Sequence, residues 1–246
     1  MRSAAILAVA FVLTSPVHAQ LCTGKRLWGP YGMQLSGLAT ISGAQDPIAD
    51  LARLTLSYDG TVSGYSSVNF KGLLLGNPAS GTYELHPDCT FALSLQDDSG
   101  GWQHFRGVAT PDGRKITIRQ TDPETGERGE VEKAPNGCTA SDLRNAYTFT
   151  LSGTATPLAT GNKPIPFAAA GSLSLDANRK LSLVRPTAAS VAYDLQPDCM
   201  IQLELPPLTP TGRKVHLRGI VVNSGAKILA IQTDPGEPAA AVFVSR

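Results

Sequence analysis

The chain has 246 residues, 42% of them apolar and only 17% charged, with 21 basic and 20 acidic side chains. That balance excludes an electrostatic case for nucleic acid or for an anionic membrane surface. The apolar fraction is too high for a disordered polymer, and the glycines follow no collagen period.

In chain order, Arg2 precedes an apolar run from Ala4 to Leu13, followed by Ser15-Pro16 and the small-residue ending Val17-His18-Ala19. Basic end, apolar core and cleavage site together predict a signal peptide, residues 1–19. The apolar run is about half the ~20 residues a spanning helix needs, and no later segment is apolar enough to cross a membrane. A lipid-modified Cys22 is disfavoured because Leu21, not a small residue, precedes it. The expected location is periplasmic or secreted.

Comparing the chain with itself shows a duplication. Cys22 and Cys138 are 116 residues apart, as are the blocks Tyr31–Gly37 and Tyr147–Gly153. Tyr83-Glu84-Leu85-His86-Pro87-Asp88-Cys89 matches Tyr193-Asp194-Leu195-Gln196-Pro197-Asp198-Cys199 at an offset of 110. His104-Phe105-Arg106-Gly107 matches His216-Leu217-Arg218-Gly219 at 112, and Gln120-Thr121-Asp122-Pro123 matches Gln232-Thr233-Asp234-Pro235 at the same offset. The expected domains are residues 20–133 and 138–246, joined by the short linker 134–137. An even cysteine count in an exported chain implies disulfides. The duplication favours Cys22–Cys89 and Cys138–Cys199, each within its own repeat and each worth about 4 kcal/mol on the chain-entropy model. The alternative, Cys22–Cys138 with Cys89–Cys199, would join the repeats.

Within each repeat the apolar residues alternate with period two. Leu54–Tyr58 runs into Asp59-Gly60, Phe91–Leu95 ends at Asp97-Asp98-Ser99-Gly100-Gly101, and Lys115–Arg119 follows Pro111-Asp112-Gly113. Gly171–Leu175, Ile201–Leu205 and Lys227–Ile231 repeat the pattern. These are half-buried strands divided by turn residues, seven or eight per repeat. Pro47–Arg53 is the one segment with helical character, and it is short enough to be a turn before a strand. The expected fold is all-β: two tandem antiparallel barrels of about eight strands, since closure removes sheet edges. Two β-sandwiches are the alternative, without the Cys-Trp-Cys core of immunoglobulin-like domains.

The order Cys, Tyr-Gly-x-x-Leu-Ser-Gly, a strand ending in Asp-Gly, Gly-x-Tyr-x-x-x-Pro-Asp-Cys-Thr (Gly81–Thr90) and Gln-Thr-Asp-Pro resembles a duplicated domain of uncharacterised secreted bacterial proteins. The likeness covers both repeats. The second copy departs from it, with Ala192 before Tyr193, Met200 after Cys199, and Ala177-Asn178 in place of Asp-Gly. The resemblance implies export and a calycin-like barrel, and no activity.

No Gly-x-Ser-x-Gly elbow, His-Glu-x-x-His, Cys-x-x-Cys or phosphate-cradling loop occurs, so no catalytic residue, metal ligand or cofactor is expected. The repeated His-x-Arg is the best binding candidate. His104 and Arg106 share one strand face, as do His216 and Arg218, opposite the apolar Phe105 and Ala109 or Leu217 and Val221. The pairs should therefore face solvent, as an inherited polar face or as a stripe for an anionic ligand. Tyr83 and Tyr193 should line or fill the barrels. The Pro-Asp-Cys and Gln-Thr-Asp-Pro blocks read as turns, with Asp122 and Asp234 capping backbone N–H groups. Three functions remain open: a non-catalytic carrier of a small apolar ligand, a surface or adhesion protein meeting a cell-surface partner, and a barrel enzyme of isomerase or cyclase type. The last would need an inward titratable group, which none of the histidines should supply.

Overall fold

The computed structural model describes residues 22, 27–41, 44–70, 73–96, 100–156, 163–185 and 189–246. The expected signal peptide and the turn residues Asp97, Asp98 and Ser99 lie outside them. Among the described residues no helix is long and apolar enough to cross a membrane.

Eight strands form the first unit: β1 (Gly29–Ile41), β2 (Ala44–Leu56), β3 (Thr61–Phe70), β4 (Leu73–Leu85), β5 (Thr90–Gln96), β6 (Trp102–Ala109), β7 (Lys115–Gln120) and β8 (Arg128–Lys133). Each pairs antiparallel with the next, and β8 returns to β1 with Tyr31 opposite Lys133, closing an up-and-down barrel. Nine form the second: β9 (Ala146–Ala155), β10 (Ile165–Leu175), β11 (Lys180–Arg185), β12 (Ala189–Ala192), β13 (Asp194–Leu195), β14 (Met200–Leu205), β15 (Val215–Val222), β16 (Lys227–Gln232) and β17 (Ala239–Ser245). Here β17 pairs with β9, and the sheet runs from β12 around to β13. The protein is therefore all-β, two tandem antiparallel barrels, rather than two sandwiches.

The period-two pattern builds both cores. Tyr31, Met33 and Leu35 point into the first barrel beside Leu54, Leu93, Phe105 and Ile118, all nearly inaccessible to water. Tyr147, Phe149, Leu151, Leu203, Leu217 and Phe243 fill the second. The disulfides are Cys22–Cys89 and Cys138–Cys199, one per barrel. Both Pro-Asp-Cys blocks make the same turn. Cys89 and Cys199 adopt left-handed φ of 69° and 70°. Asp88 Oδ1 accepts from Thr90 N–H at 3.0 Å, and Asp198 Oδ1 from Met200 N–H at 3.2 Å. Pro87 and Pro197 carbonyls accept the N–H of Cys22 and Cys138, which brings each bridge partner to its turn.

Pro47–Arg53 is not helical; it lies inside β2. Ala52 and Leu54 face the first core while Ala49 and Leu51 face the second barrel, so both sides of this stretch are covered. A strand buried on both faces loses its alternation and cannot be told from a buried helix by pattern.

That shared face joins the barrels. Ala49, Leu51 and Ala134 pack against Met200, Ile220, Val222, Leu229 and Ile231. Gly32 permits the approach: a Cβ there would stand 2.8 Å from Val222 Cγ1. Polar side chains fix the register across it. Gln34 Nε2 donates to the carbonyls of Ala230 (2.5 Å) and Ala241 (2.8 Å), and Asn69 Nδ2 to Gln232 O (2.7 Å) and Asp234 O (3.0 Å). Lys227 ties Glu130 and Glu132, the latter at 2.8 Å, to the second barrel.

Candidate functional site

The two barrels differ in how the sheet closes. In the first, β4 pairs with β5 over six residues, from Ser80 opposite Gln96 to Leu85 opposite Phe91. In the second, the equivalent strand is broken at Tyr193: β12 pairs only with β11, and β13 reaches β14 only at Asp194–Gln202 and Leu195–Ile201. Gly81 explains the contrast. Its bare Cα lies so close to β5 that a Cβ would stand 1.9 Å from Ser94 O. At the offset of 110 the second copy has Val191, whose branched side chain cannot enter such a gap. The second cylinder thus carries an open seam between β12 and β14.

A groove of about 440 Å³ lies along this seam, bordered by Ala192, Tyr193, Asp194, Gln202, Glu204, His216, Arg218 and Thr233. Leu74, from the β3–β4 hairpin of the first barrel, closes one side. A neighbouring depression of about 300 Å³ shares Gln202 and Arg218 and adds Tyr65 and Asp198. Arg218 stands between them, donating to Ser67 Oγ at 2.8 Å; among the described residues no carboxylate forms an ion pair with it. Tyr65 OH donates to Asp198 Oδ2 at 2.5 Å, and burial with that contact pushes its hydroxyl pKa up.

His216 is held firmly. Its Nδ1 lies 2.7 Å from Asp234 Oδ1, while its main-chain N–H donates to Asp234 Oδ2 at 2.8 Å. Gln232 Nε2 donates to the same oxygen at 3.0 Å. A carboxylate can only accept, so Nδ1 carries the proton and Nε2 is the outward tip. That tip lies 3.5 Å from Glu204 Oε2, a carboxylate and not a hydroxyl nucleophile. Lys214 bonds Glu204 at 2.7 Å and holds its carboxyl below the usual range, against a slight opposing effect of burial.

The first barrel repeats this network: His104 Nδ1 to Asp122 Oδ1 at 2.7 Å, His104 N–H to Oδ2 at 2.7 Å, and Gln120 Nε2 to Oδ2 at 3.2 Å. Burial works to raise the Asp122 pKa, but these hydrogen bonds outweigh it and hold the carboxyl low. The His-x-Arg-Gly and Gln-Thr-Asp-Pro blocks are therefore two halves of one device. Their common offset of 112 was the signal for that pairing. His104 and Arg106 are exposed on β6, with the Trp102 ring stacked on His104 at 6.4 Å. They border none of the described grooves. The sequence-derived candidates thus separate, with His216, Arg218 and Tyr193 meeting at the seam and His104 and Arg106 on an open face.

Tyr83 and Tyr193 fill the barrels more than they line a cavity. Their hydroxyls donate to Ser57 O (2.9 Å) and Asp176 O (2.6 Å). The residues that sequence reasoning missed are Asp50 and Glu127. Asp50 follows Ala49 on β2 and so turns inward, where burial and then the neighbouring Glu127 charge raise its pKa to about 8. Burial, with a smaller contribution from Asp122, raises Glu127 to about 7. Asp50 Oδ1 is buried without a hydrogen-bond partner. No spacing rule marks these two, because their meeting depends on barrel closure. Among the described residues no group of three or more His, Cys, Asp or Glu side chains could hold a metal ion.

No protein-family model matches the chain, and no curated protein matches it. The solved structures similar to it at low identity include two transferrin binding proteins and a protein of unknown function. Isotype 1 transferrin binding protein B from serogroup B Neisseria meningitidis is 10% identical, with a TM-score of 0.37 over 88% of this chain and 76% of that one. Transferrin binding protein B from Haemophilus parasuis Hp5, a double mutant, is 8% identical, with a TM-score of 0.31 over 89% and 75%. A protein of unknown function of the DUF3598 family from Nostoc punctiforme is 10% identical, with a TM-score of 0.30 over 90% and 97%.

Proposed function

We propose that the chain is an exported, non-catalytic binding protein whose ligand or partner is taken at the groove between the two barrels. We divide it into a signal peptide (1–19), a first barrel (20–133), a linker (134–137) and a second barrel (138–246), belonging to the duplicated secreted domain that its motifs resemble. The observation that carries the reading is the seam groove. It gathers the apolar Leu74, the edge of Tyr193, and the polar His216 and Arg218 from two barrels locked together by a buried interface. A concave site at a domain junction, apolar on one side with a few oriented polar groups, suits ligand recognition. The filled cores argue against a cargo inside either barrel, so a small apolar ligand would lie in the groove against Leu74. His216 and Arg218 are then its polar contacts, while Tyr83, His104 and Arg106 are the duplicated counterparts that lack a groove.

A second reading has one observation in its favour. Leu73, Leu74 and Leu75 are 59%, 41% and 43% exposed on successive positions of β4, so both faces of the hairpin end are apolar. Such a patch suits a surface or adhesion role toward a cell-surface partner. Native mass spectrometry of the protein purified from its own host separates the two. A stoichiometric adduct that is lost in a Gln202→Trp variant, whose ring fills the groove, supports the groove reading. An adduct that survives the variant, or none at all, overturns it.

A further inference from the structure

The outer face of the first barrel carries a row of like charges. On β6, Trp102, His104, Arg106 and Val108 all turn outward and are exposed. The register sets Arg106 opposite Arg119 on β7, and Arg119 opposite Arg128 on β8. Ala92 on β5 and Ser36 on β1 end the row. All three arginines are exposed, and among the described residues none has a carboxylate partner. The carboxyls a few positions along the chain are already held, Glu130 by Lys115 and Lys227, and Asp122 by His104. Like charges directly opposite one another destabilise a sheet. The second barrel has no such repulsion: the same row there reads Arg218, Ile231 and Ala240, with Ile231 packed into the interface between the barrels. The repulsion is confined to the copy of the row that solvent reaches, where a bound anion would relieve it.

Neighbouring strands lie about 4.8 Å apart, so the arginines recur at that interval over about 10 Å. Trp102, four residues along β6, lies about 13 Å from Arg106, and the face from Trp102 to Arg128 is roughly 16 Å across. The Trp102 ring is 51% exposed and stacks on His104 at 6.4 Å, a flat apolar platform beside the charges. We infer that this face binds an acidic polysaccharide, a chain of sugar acids with one carboxylate per ring. A pyranose ring with its linking oxygen advances about 5 Å, as single bonds of about 1.5 Å require, so its charge interval matches that of the row. Each guanidinium fork suits a planar carboxylate, and the C–H face of a ring suits the Trp102 platform. An extended acidic peptide repeats a side chain on one face only every ~7 Å. A duplex or an anionic bilayer needs a broader basic surface than one row, and the chain as a whole balances 21 basic against 20 acidic residues. None of the three arginines borders the seam groove, so the inference stands apart from the groove reading.

Calorimetric titration of the full chain with a hexamer of galacturonate tests it. Binding should weaken about tenfold when the salt is raised roughly fourfold. Arg119→Glu places a carboxylate between two arginines. It should lower the affinity about tenfold and leave the melting temperature equal or higher, because opposite charges then face each other. Arg119→Gln, which only removes the charge, should lower it about threefold. Trp102→Ala should also lower it about threefold, with the salt dependence unchanged. Failure of the hexamer to bind overturns the inference, and so does an affinity that both Arg119 variants leave unaltered. Equal binding of the neutral hexamer maltohexaose overturns it as well. Equal binding of hexaglutamate or of phosphatidylglycerol vesicles does the same, by assigning the row to another class of partner.

Discussion

The sharpest local conflict in the molecule is a pair of carboxyls in the wall of the first barrel. Asp50 and Glu127 are 4% and 3% exposed, and the Asp50 Oδ1 has no hydrogen-bond partner. Burial disfavours their charged forms, and the Glu127 charge acts further on Asp50 as the Asp122 charge does on Glu127. Their folded pKa values, about 8 and about 7, lie above the ordinary carboxyl range, so between pH 4 and 8 these two groups hold more protons in the folded chain than in the unfolded one. The contribution of this pair to stability therefore falls as pH rises through that window, and is fullest below the ordinary carboxyl pKa. Asp50→Asn should raise the melting temperature at pH 8 by about 5 °C and change it little at pH 4.5. Calorimetry at the two pH values checks this; an equal shift at both would place the effect in packing instead. Charge at the His216–Asp234 pair is a different matter, because there every oxygen has a donor. Asp234→Asn should release the ring and weaken ligand retention without a comparable loss of stability.

Strands show how closely two copies of one sequence can diverge. The repeated blocks, the disulfides and the alternation were all legible in the sequence, because each depends on near neighbours or on a constant offset. The seam was not, since the exchange of Gly81 for Val191 matters only where a third strand approaches within van der Waals contact. Nor was β2 legible, because its outer face is covered by residues of the other barrel, from Met200 to Ile231, far away in sequence. The same glycine gives a test in the intact barrel. Gly81→Ala places a methyl 1.9 Å from Ser94 O, so β4 and β5 must part. Melting should begin earlier, by about 6 °C for a loss near 3 kcal/mol. Amide exchange should accelerate at Ser94 and leave the second barrel's β15 and β16 unchanged. If exchange rises evenly over both barrels, closure of the first is not a local property of this contact.

Whether the chain behaves as two barrels or as one body turns on the face between them. Its centre is apolar, with Leu51, Ile220, Leu229 and Ile231 all almost wholly buried. Its rim is a charge cluster in which Lys227 serves Glu130 and Glu132, and Lys115 bonds Glu130 at 2.5 Å and stands 3.5 Å from Glu132. Between them, Gln34 and Asn69 satisfy main-chain carbonyls of the second barrel, so the contact has a fixed register that a purely greasy surface would lack. This rigidity holds Leu74 and Ser67 over the seam, which makes the proposed site a property of the whole molecule. The apolar centre and the ionic rim contribute differently, and substitution separates them. Lys227→Met removes one charge and leaves Glu132, 4% exposed, with only Lys115 at the longer distance. A buried carboxylate losing its partner costs about 3 kcal/mol. The loss should be largest near neutral pH and shrink in acid, because burial raises the Glu130 carboxyl while Lys115 and Lys227 together hold it below the usual range, and that gain is lost on protonation. Leu229→Asp instead places a new charge in the apolar centre and should uncouple the barrels. Scanning calorimetry of the wild type should then show one transition, and Leu229→Asp two, each retaining its own disulfide-bridged core. Two transitions already present in the wild type would mean that the interface positions the groove without coupling the folding of its two walls.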